Sequence, residues 1–393
     1  MKHPSDGQAA PTRRVNDLRL GQSVNAIDTP ALVVDLDAME RNLARMVDFA
    51  NTHQLRLRPH AKMHKSSALA RLQIQAGAVG VCVQKTAEAE VMAAGGVNDI
   101  YISNEVIAPA KLQRVLGLAQ TLSSRGGRLA IAVDSLEGVQ RLAQAFQQAA
   151  ASRTWIDVFV ELDVGHGRCG TSPDTAVLLA QEITRQPALR FAGLQAYHGR
   201  AQHFRSLSER REAIGAAVSL VQRTIALMTQ AGLTVALVTG AGSGSFALEA
   251  GSGVYGELQA GSFMFMDADY ARNEADPDQP PFEHALFLKT QVMSVCADHA
   301  VCDAGHKSHA IDSGLPRVHS MPGASPLEYF NGGDEHGILR GTQLPALGNT
   351  LWLIPGHCDP TVNLHDHLVG VRGGLQDGVV EQVIRVDARG ALT

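Results

Sequence analysis

What this chain lacks narrows its function before any motif is read. It has no basic excess: 34 Lys and Arg stand against 39 Asp and Glu, for a formal net charge of −5, and the basic residues form no runs. That argues against a nucleic-acid surface. No stretch approaches the roughly 20 apolar residues that span a bilayer. The polar opening from Met1 to Asp17 lacks the apolar core of a secretory signal and reads as a flexible arm. The five cysteines, Cys82, Cys169, Cys296, Cys302 and Cys358, are odd in number, scattered, and without CxxC pairing. This excludes a zinc ribbon on pattern and fits a reducing, cytoplasmic setting. Internal repeats and low-complexity segments are absent as well. What remains is a 393-residue globular chain, long for one compact core, whose expected partner is a small molecule.

From about residue 28, short β-branched apolar runs alternate with longer stretches of helical periodicity, the pattern of strands joined by helices. An opening strand at Ala31–Leu36 and a helix at Asp37–His53 precede eight strands. These fall near Leu55–Arg58, Val79–Val83, Asp99–Ile102, Arg128–Val133, Ile156–Leu162, Phe191–Ala196, Thr234–Val238 and Gly256–Ala260. Helical patterns at Pro109–Ser124, Leu136–Ala151 and Ser206–Ala231 separate some of them. Eight parallel strands with interleaved helices predict an α/β fold, a (β/α)8 barrel; a doubly wound open sheet is the alternative that strand counting leaves open. After about Phe282 the apolar runs become short and alternating (Ala285–Val295, Leu351–Ile354, His367–Val371, Val379–Val386), which predicts an antiparallel β domain. The expected division is an arm contributing to the β domain over 1–27, a barrel over 28–275 and a β domain over 276–393.

The βα loops of such a barrel converge on one face, so chemistry is sought just past each strand. There the sequence places Arg58-Pro59-His60-Ala61-Lys62-Met63-His64-Lys65, then Gln84-Lys85 and Ser103-Asn104-Glu105. Further on come Asp163-Val164-Gly165-His166-Gly167-Arg168-Cys169-Gly170, Gln195-Ala196-Tyr197-His198-Gly199 and Thr239-Gly240-Ala241-Gly242-Ser243-Gly244-Ser245. The last run suits a phosphate, because glycines let backbone N–H groups converge and hydroxyls add donors. It also follows the seventh strand, beside the usual phosphate site of the barrel. A plain flexible loop is its bland alternative. Lys62 stands among basic and imidazole neighbours, which together with a part-buried mouth are expected to depress its pKa, as attack on an aldehyde requires. On pattern alone Lys65, Lys85 and a solvated basic loop compete with it.

In Pro355-Gly356-His357-Cys358-Asp359-Pro360-Thr361, an extended chain would put His357 and Asp359 on one side and Cys358 on the other. An imidazole and a carboxylate so placed suit Mn²⁺, Mg²⁺ or Zn²⁺. A hydrogen-bonded structural pair is the competing reading. Asp334-Glu335-His336-Gly337 is either a source of an acid or base or a polar turn.

In this order, and together with Gly253-Val254-Tyr255, Gln259-Ala260-Gly261-Ser262 and Met266-Asp267-Ala268-Asp269-Tyr270, these motifs resemble one family. It is the metal-activated, fold-type III (alanine-racemase-like) pyridoxal-phosphate enzymes, which include D-threonine aldolase, 3-hydroxy-D-aspartate aldolase and eukaryotic-type D-serine dehydratase. The resemblance runs from about Asp28 to Gly390. It implies that Lys62 carries pyridoxal 5'-phosphate as a Schiff base. It also implies that His60, Gln84, Tyr197, Thr239, Gly242, Ser243 and Tyr270 surround the cofactor, with Arg168 near its ring. His357 and Asp359 would hold a divalent metal, and barrel and β domain of opposite subunits would meet over the active site of a homodimer. The implied reaction splits a D-3-hydroxy amino acid into glycine and an aldehyde, with His198, or alternatively Asp334, taking the proton of the metal-bound β-hydroxyl.

The family's dehydratases carry Cys at the second metal position. The harder Asp359 favours Mn²⁺ or Mg²⁺ over Zn²⁺, and an aldolase over a D-serine or D-3-hydroxyaspartate dehydratase. A metal-dependent hydrolase would need more ligands, a non-catalytic cofactor carrier would lack the metal-bearing β domain, and a racemase would need a second base at Cα. Arg168 and Arg200 are candidates to receive a second substrate carboxylate. His203, His299, His306, His309 and His319 read as solvated loop histidines, and Phe263-Met264-Phe265-Met266 as core.

Overall fold

The computed structural model describes residues 20–147, 154–320 and 325–393, so most of the expected N-terminal arm lies outside the described residues. Strand β1 (Ala31–Asp35) is followed by eight short parallel strands: β2 (Arg56–Leu57), β3 (Val81–Val83), β4 (Asp99–Ile102), β5 (Arg128–Val133), β6 (Ile156–Glu161), β7 (Leu189–Ala196), β8 (Val238–Gly240) and β9 (Glu257–Leu258). The eight lie in the order β2-β9-β8-β7-β6-β5-β4-β3. The two ends meet: Val79 N–H donates to Leu57 O and Cys82 N–H to Pro59 O, both at 2.9 Å, and Ala61 N–H to Cys82 O at 2.8 Å. This closure makes the sheet a barrel rather than the doubly wound alternative.

Local signals set the surrounding helices. Pro109 and Pro173 open the helices Pro109–Ser124 and Pro173–Arg185, where a missing N–H costs nothing. Ser206 and Glu209 form a reciprocal capping box for Leu207–Gln230. Leu112, Val115, Leu142, Leu179 and Val221 of the helices share one apolar core with Ile100, Ile102, Val158, Val160 and Leu194 of the strands. Inside the barrel the packing is part polar. Tyr101 O–H donates to Gln195 Oε1 (2.6 Å), Gln195 Nε2 to Glu161 Oε2 (2.8 Å), and Arg58 pairs with Asp99 (2.6 Å) and Glu257 (3.1 Å).

The expected strand at Thr234–Val238 begins later, at Val238. At the β7 bulge Gly193 has φ +145, and a Cβ there would lie 1.9 Å from Leu237 O, so only glycine fits where the two segments meet.

The second sheet has nine strands: β1 with β10 (Leu286–Val295), β11 (Ala300–Cys302), β12 (Arg317–Val318), β13 (Leu327–Asn331), β14 (Gly337–Gly341), β15 (Thr350–Ile354), β16 (His367–Arg372) and β17 (Val379–Arg385). Placing residues 28–275 wholly in the barrel is therefore corrected for β1, which pairs antiparallel with β10 and parallel with β16, Val33 lying opposite both Phe287 and Val369. Its sequence accounts for this, because Ala31-Leu32-Val33-Val34 is apolar on both faces. Leu32 and Val34 pack in the core shared with helix Leu36–Thr52, while Val33 packs with Trp352 and Val371. Phe263, Met264 and Phe265 are fully buried in the former core, as read from sequence. No described helix is long and apolar enough to cross a membrane.

Two buried lysines tie distant segments together. Lys65 pairs with Glu88 at 2.6 Å while its backbone carbonyl accepts Ala388 N–H. Lys289, 1% exposed, donates from Nζ to the carbonyls of Val24 (3.0 Å), Asn25 (3.0 Å) and Ile27 (2.7 Å). Lys289→Met would strand those acceptors, and is expected to cost about 3 kcal/mol, read as a lower midpoint in thermal or urea unfolding.

Candidate active site

A cavity of about 380 Å³ opens at the C-terminal ends of the barrel strands, and the turn that begins at His357 forms part of its wall. Lys62 enters from the loop after β2. Its Nζ lies 2.8 Å from Asp359 Oδ2, a residue from the far end of the chain. The charge of Asp359 outweighs burial and holds the Lys62 ammonium above the ordinary lysine range. This reverses the depressed pKa expected from sequence. The cationic neighbours in sequence are not the nearest charge in space.

His60 stands beside it, its Nε2 3.0 Å from Gln84 Nε2 and 3.2 Å from Ser103 Oγ. Burial, reinforced by the charge of Lys62, pushes the imidazole pKa well below its usual value, so the ring is neutral. Burial likewise raises the Tyr197 phenol, against which Lys62 and Arg168 act. The Arg168 guanidinium sits 6.0 Å from the Tyr197 ring centre and 3.8 Å from Glu161, whose carboxyl is pushed up to about 8 by burial and by Glu105.

Gly242, Ser243, Gly261, Ser262 and Tyr270 line another part of the wall. Only glycine fits at two of these positions. A Cβ at Gly242 would lie 2.5 Å from Gln202 Oε1, and one at Gly261 would lie 2.7 Å from His60 O. Gln202 braces the glycine run by accepting Gly244 N–H (2.9 Å) and donating to Ser245 Oγ (2.7 Å).

His357 and Asp359 do converge, though through a different local structure from the one expected. His357 is the N-cap of a short helix, Cys358–Val362, not part of an extended strand, because Cys358 Sγ turns inward to Met266 O at 3.4 Å. His357 Nε2 lies 3.9 Å from Asp359 Oδ1, a buried atom with no hydrogen-bond partner. Asp312 holds His357 through Nδ1 at 2.7 Å.

Two family descriptions match the chain: the alanine racemase N-terminal domain over residues 34–269 and a serine dehydratase domain over 285–371. The chain is 45% identical to a D-threonine aldolase of Arthrobacter sp over 375 residues, covering 94% of this chain and 95% of that protein. It is 42% identical to a 3-hydroxy-D-aspartate aldolase of Paracoccus denitrificans over 378 residues, covering 94% of each. The crystal structure of D-threonine aldolase from Filomicrobium marinum superposes with a TM-score of 0.90 at 45% identity, over 95% of this chain and 99% of that one. The chain belongs to the D-threonine aldolase and 3-hydroxy-D-aspartate aldolase family.

Several residues that the family resemblance pointed to stand elsewhere. Thr239 lies inside the barrel, because β8 starts late and carries it as a strand residue. Its hydroxyl donates to Glu257 Oε1 (2.9 Å) and accepts from Gln259 Nε2 (2.8 Å), and Gln259, not Thr239, reaches the cavity. His198 is buried behind the wall. Tyr197 takes the inward position, and His198 Nδ1 accepts Ala201 N–H at 3.3 Å. Asp334 sits on an exposed turn, paired with His306 (2.8 Å) and Lys307 (3.4 Å), and is not among the cavity residues of its own chain.

In their place the cavity of this aldolase-family chain takes in His166 and His203, and it includes Arg200, already a candidate on sequence. His203, dismissed on sequence, has Nδ1 2.7 Å from Asp269 Oδ2, and Asp269 is held in turn by Arg205 and Arg272. No spacing connects residues 203 and 269, and only the Asp267-Ala268-Asp269 motif hinted at the carboxylate. His309 also differs from its reading as a solvated histidine: it is buried and bonded to the Tyr329 hydroxyl at 2.8 Å.

Beneath the glycine run, Glu249 is fully buried and accepts Ser245 O–H at 2.9 Å, and burial pushes its carboxyl up to about 7. An acid whose folded pKa is raised binds its proton more tightly in the folded state. Folding stability therefore falls as pH rises from about 4.5 to about 7, and the penalty is complete above that. Glu249→Gln is expected to be more stable than the parent at pH 8, by about 1–3 kcal/mol, with the gain vanishing near pH 4. Urea unfolding at the two pH values checks this.

Proposed function

We propose that the protein is a pyridoxal-phosphate- and divalent-metal-dependent aldolase that cleaves D-3-hydroxy amino acids such as D-threonine or D-3-hydroxyaspartate to glycine and an aldehyde. The observation that carries this reading is the meeting of the Lys62 amine with the His357–Asp359 pair in one cavity, Nζ lying 2.8 Å from Asp359. Racemase, hydrolase and carrier readings offer no reason for that pairing.

The residues present fit both groups. Pyridoxal phosphate would be held by Lys62, with Gly242, Ser243, Gly261 and Ser262 about its phosphate and His60, Gln84, Tyr197, Arg168 and Tyr270 about its ring; the glycine positions that no Cβ can occupy suit close backbone approach. When bound it supplies an electron sink for the carbon released as Cα–Cβ breaks. A divalent ion would be held by His357 Nε2 and the unpartnered Asp359 Oδ1, a donor set that suits Mn²⁺ or Mg²⁺ and, less well, Zn²⁺. When bound it supplies a Lewis acid that lowers the pKa of the substrate β-hydroxyl.

The chain's own residues do the rest. Asp312 fixes the His357 tautomer with the proton on Nδ1, which leaves Nε2 free to ligate. Asp269 does the same for His203, so that His203 Nε2 is free to take the β-hydroxyl proton. His203 thus replaces His198 as the base. The neutral His60 ring lines the cavity and would adjoin the cofactor without adding charge. Arg168 and Arg200 offer cationic contacts for substrate carboxylates.

The working unit in this reading is a homodimer, in which Asp334 would serve the partner's cavity rather than its own. The five free thiols fit a cytoplasmic setting. The buried, inward-turned Cys358 is not placed to ligate a metal, which weighs against a dehydratase.

Product analysis with D-threonine and D-3-hydroxyaspartate, supplied with pyridoxal phosphate and Mn²⁺, should give glycine and an aldehyde, abolished by EDTA. Ammonia and a keto acid would overturn the aldolase reading. His203→Asn should lower kcat by about 100-fold or more while leaving cofactor absorbance unchanged, and Asp269→Asn should act in the same direction. Parent-like kcat in both variants would remove His203 from the mechanism.

A further inference from the structure

We infer that Asp267 is a positioning residue that sets the metal-binding pair against the cofactor-facing Tyr270, an inference that rests on the metal reading proposed above. Asp267 has no exposed surface and, among the described residues, no lysine, arginine or histidine within ion-pair distance. Its two carboxylate oxygens divide their bonds between two segments. Oδ1 accepts Tyr270 N–H at 3.0 Å, and Oδ2 accepts Cys358 N–H at 3.1 Å.

Cys358 opens the short helix that carries Asp359, and the N-cap residue, His357, makes no side-chain capping bond there. The first N–H groups of a helix need an outside acceptor, and Asp267 supplies one from the loop that follows the last barrel strand. The same carboxylate caps the 3-10 turn Tyr270–Arg272. Two more bonds join the same segments: Ala268 N–H donates to Pro355 O at 2.9 Å, and Cys358 S–H to Met266 O at 3.4 Å. Met266, a non-glycine residue at φ +52, is held in the left-handed region where the two meet.

His357 and Asp359 flank Cys358, so the bond to Cys358 N–H fixes the placement of both ligands. The bond to Tyr270 N–H fixes where a cofactor-facing ring stands relative to them. The Asp267 carboxylate is thus the shared acceptor of two backbone donors from two segments, Tyr270 N–H and Cys358 N–H. An asparagine cannot replace it, because its amide offers one acceptor to two N–H donors and turns its NH2 toward the other.

The test uses cofactor-loaded protein without substrate and reads Mn²⁺ affinity from the electron paramagnetic resonance signal of free Mn²⁺, cofactor content from absorbance, and the melting temperature. The parent should bind Mn²⁺. Asp267→Asn should bind it roughly 10- to 100-fold more weakly with parent-like cofactor content. Lys289→Met, which loosens the β domain away from the site, should melt earlier yet keep the parent's Mn²⁺ affinity. If Asp267→Asn does not fold, Asp267→Ser takes the same measurement, with the same loss expected. The inference falls if the Asp267 variant binds Mn²⁺ like the parent, or if Lys289→Met loses affinity to the same extent. A parent that binds no Mn²⁺ would overturn the metal reading and this inference together, whereas the other two results overturn this inference alone.

Discussion

The structure depends on barrel closure. Three backbone hydrogen bonds join β2 and the Lys62 loop that follows it to β3 and its approach, and without them the two ends of the sheet, β2 and β3, would not be neighbours. Closure aims the ends of β2, β3, β4, β6, β7, β8 and β9 at one space, so side chains from past seven strands share a cavity. It also gives the barrel interior a polar ladder, from Arg58 and Glu257 through Thr239 and Gln259 to Gln195 and Tyr101. Its members are linked by hydrogen bonds and by the Arg58–Glu257 ion pair, and the ladder forms a floor for the site.

On that floor the charges are arranged in opposition. Lys62 and Asp359 hold each other ionised; burial would raise the Asp359 carboxyl, but Lys62 and His357 outweigh it and keep it below its usual value. His60, a few ångströms away, is kept neutral. Farther out, Arg168 is balanced by Glu161, itself pressed toward neutrality by Glu105. The site thus sets Lys62, the His357–Asp359 pair and the neutral His60 ring together without stacking like charges.

Much of this was legible in the sequence wherever the deciding physics is local. The helix Pro109–Ser124 was read to the residue because Pro marks its start, and β4 and β5 because uninterrupted apolar runs bounded by polar residues admit little else. That residues just past the strands, among them Lys62, Gln84, Tyr197 and Gly242, would share a cavity was legible from barrel geometry, whereas pattern alone left Lys62 level with Lys65 and Lys85. What failed was non-local. The sign of the Lys62 shift depends on a carboxylate brought from the other end of the chain, and the role of His203 depends on Asp269 across a loop. Thr239 and His198 were misplaced for a smaller reason. β8 runs on to Gly240 and carries Thr239 into the barrel, whereas β7 ends at Ala196 as expected and it is Tyr197 rather than His198 that lines the cavity.

The position of β1 has a consequence for how the chain comes together. This early strand is flanked by β10 on one side and β16 on the other, so its neighbours are supplied only after the whole barrel has been synthesised. As the chain emerges, Leu32, Val33 and Val34 must wait with both edges unpaired while some 250 residues of barrel take shape, which is a long-range closure of the slow kind. The ligand turn at His357 arrives in the same late stretch as β16. A chain cut short between residues 360 and 367 would keep His357 and Asp359 but lack β16, leaving one edge of the apolar β1 unpaired.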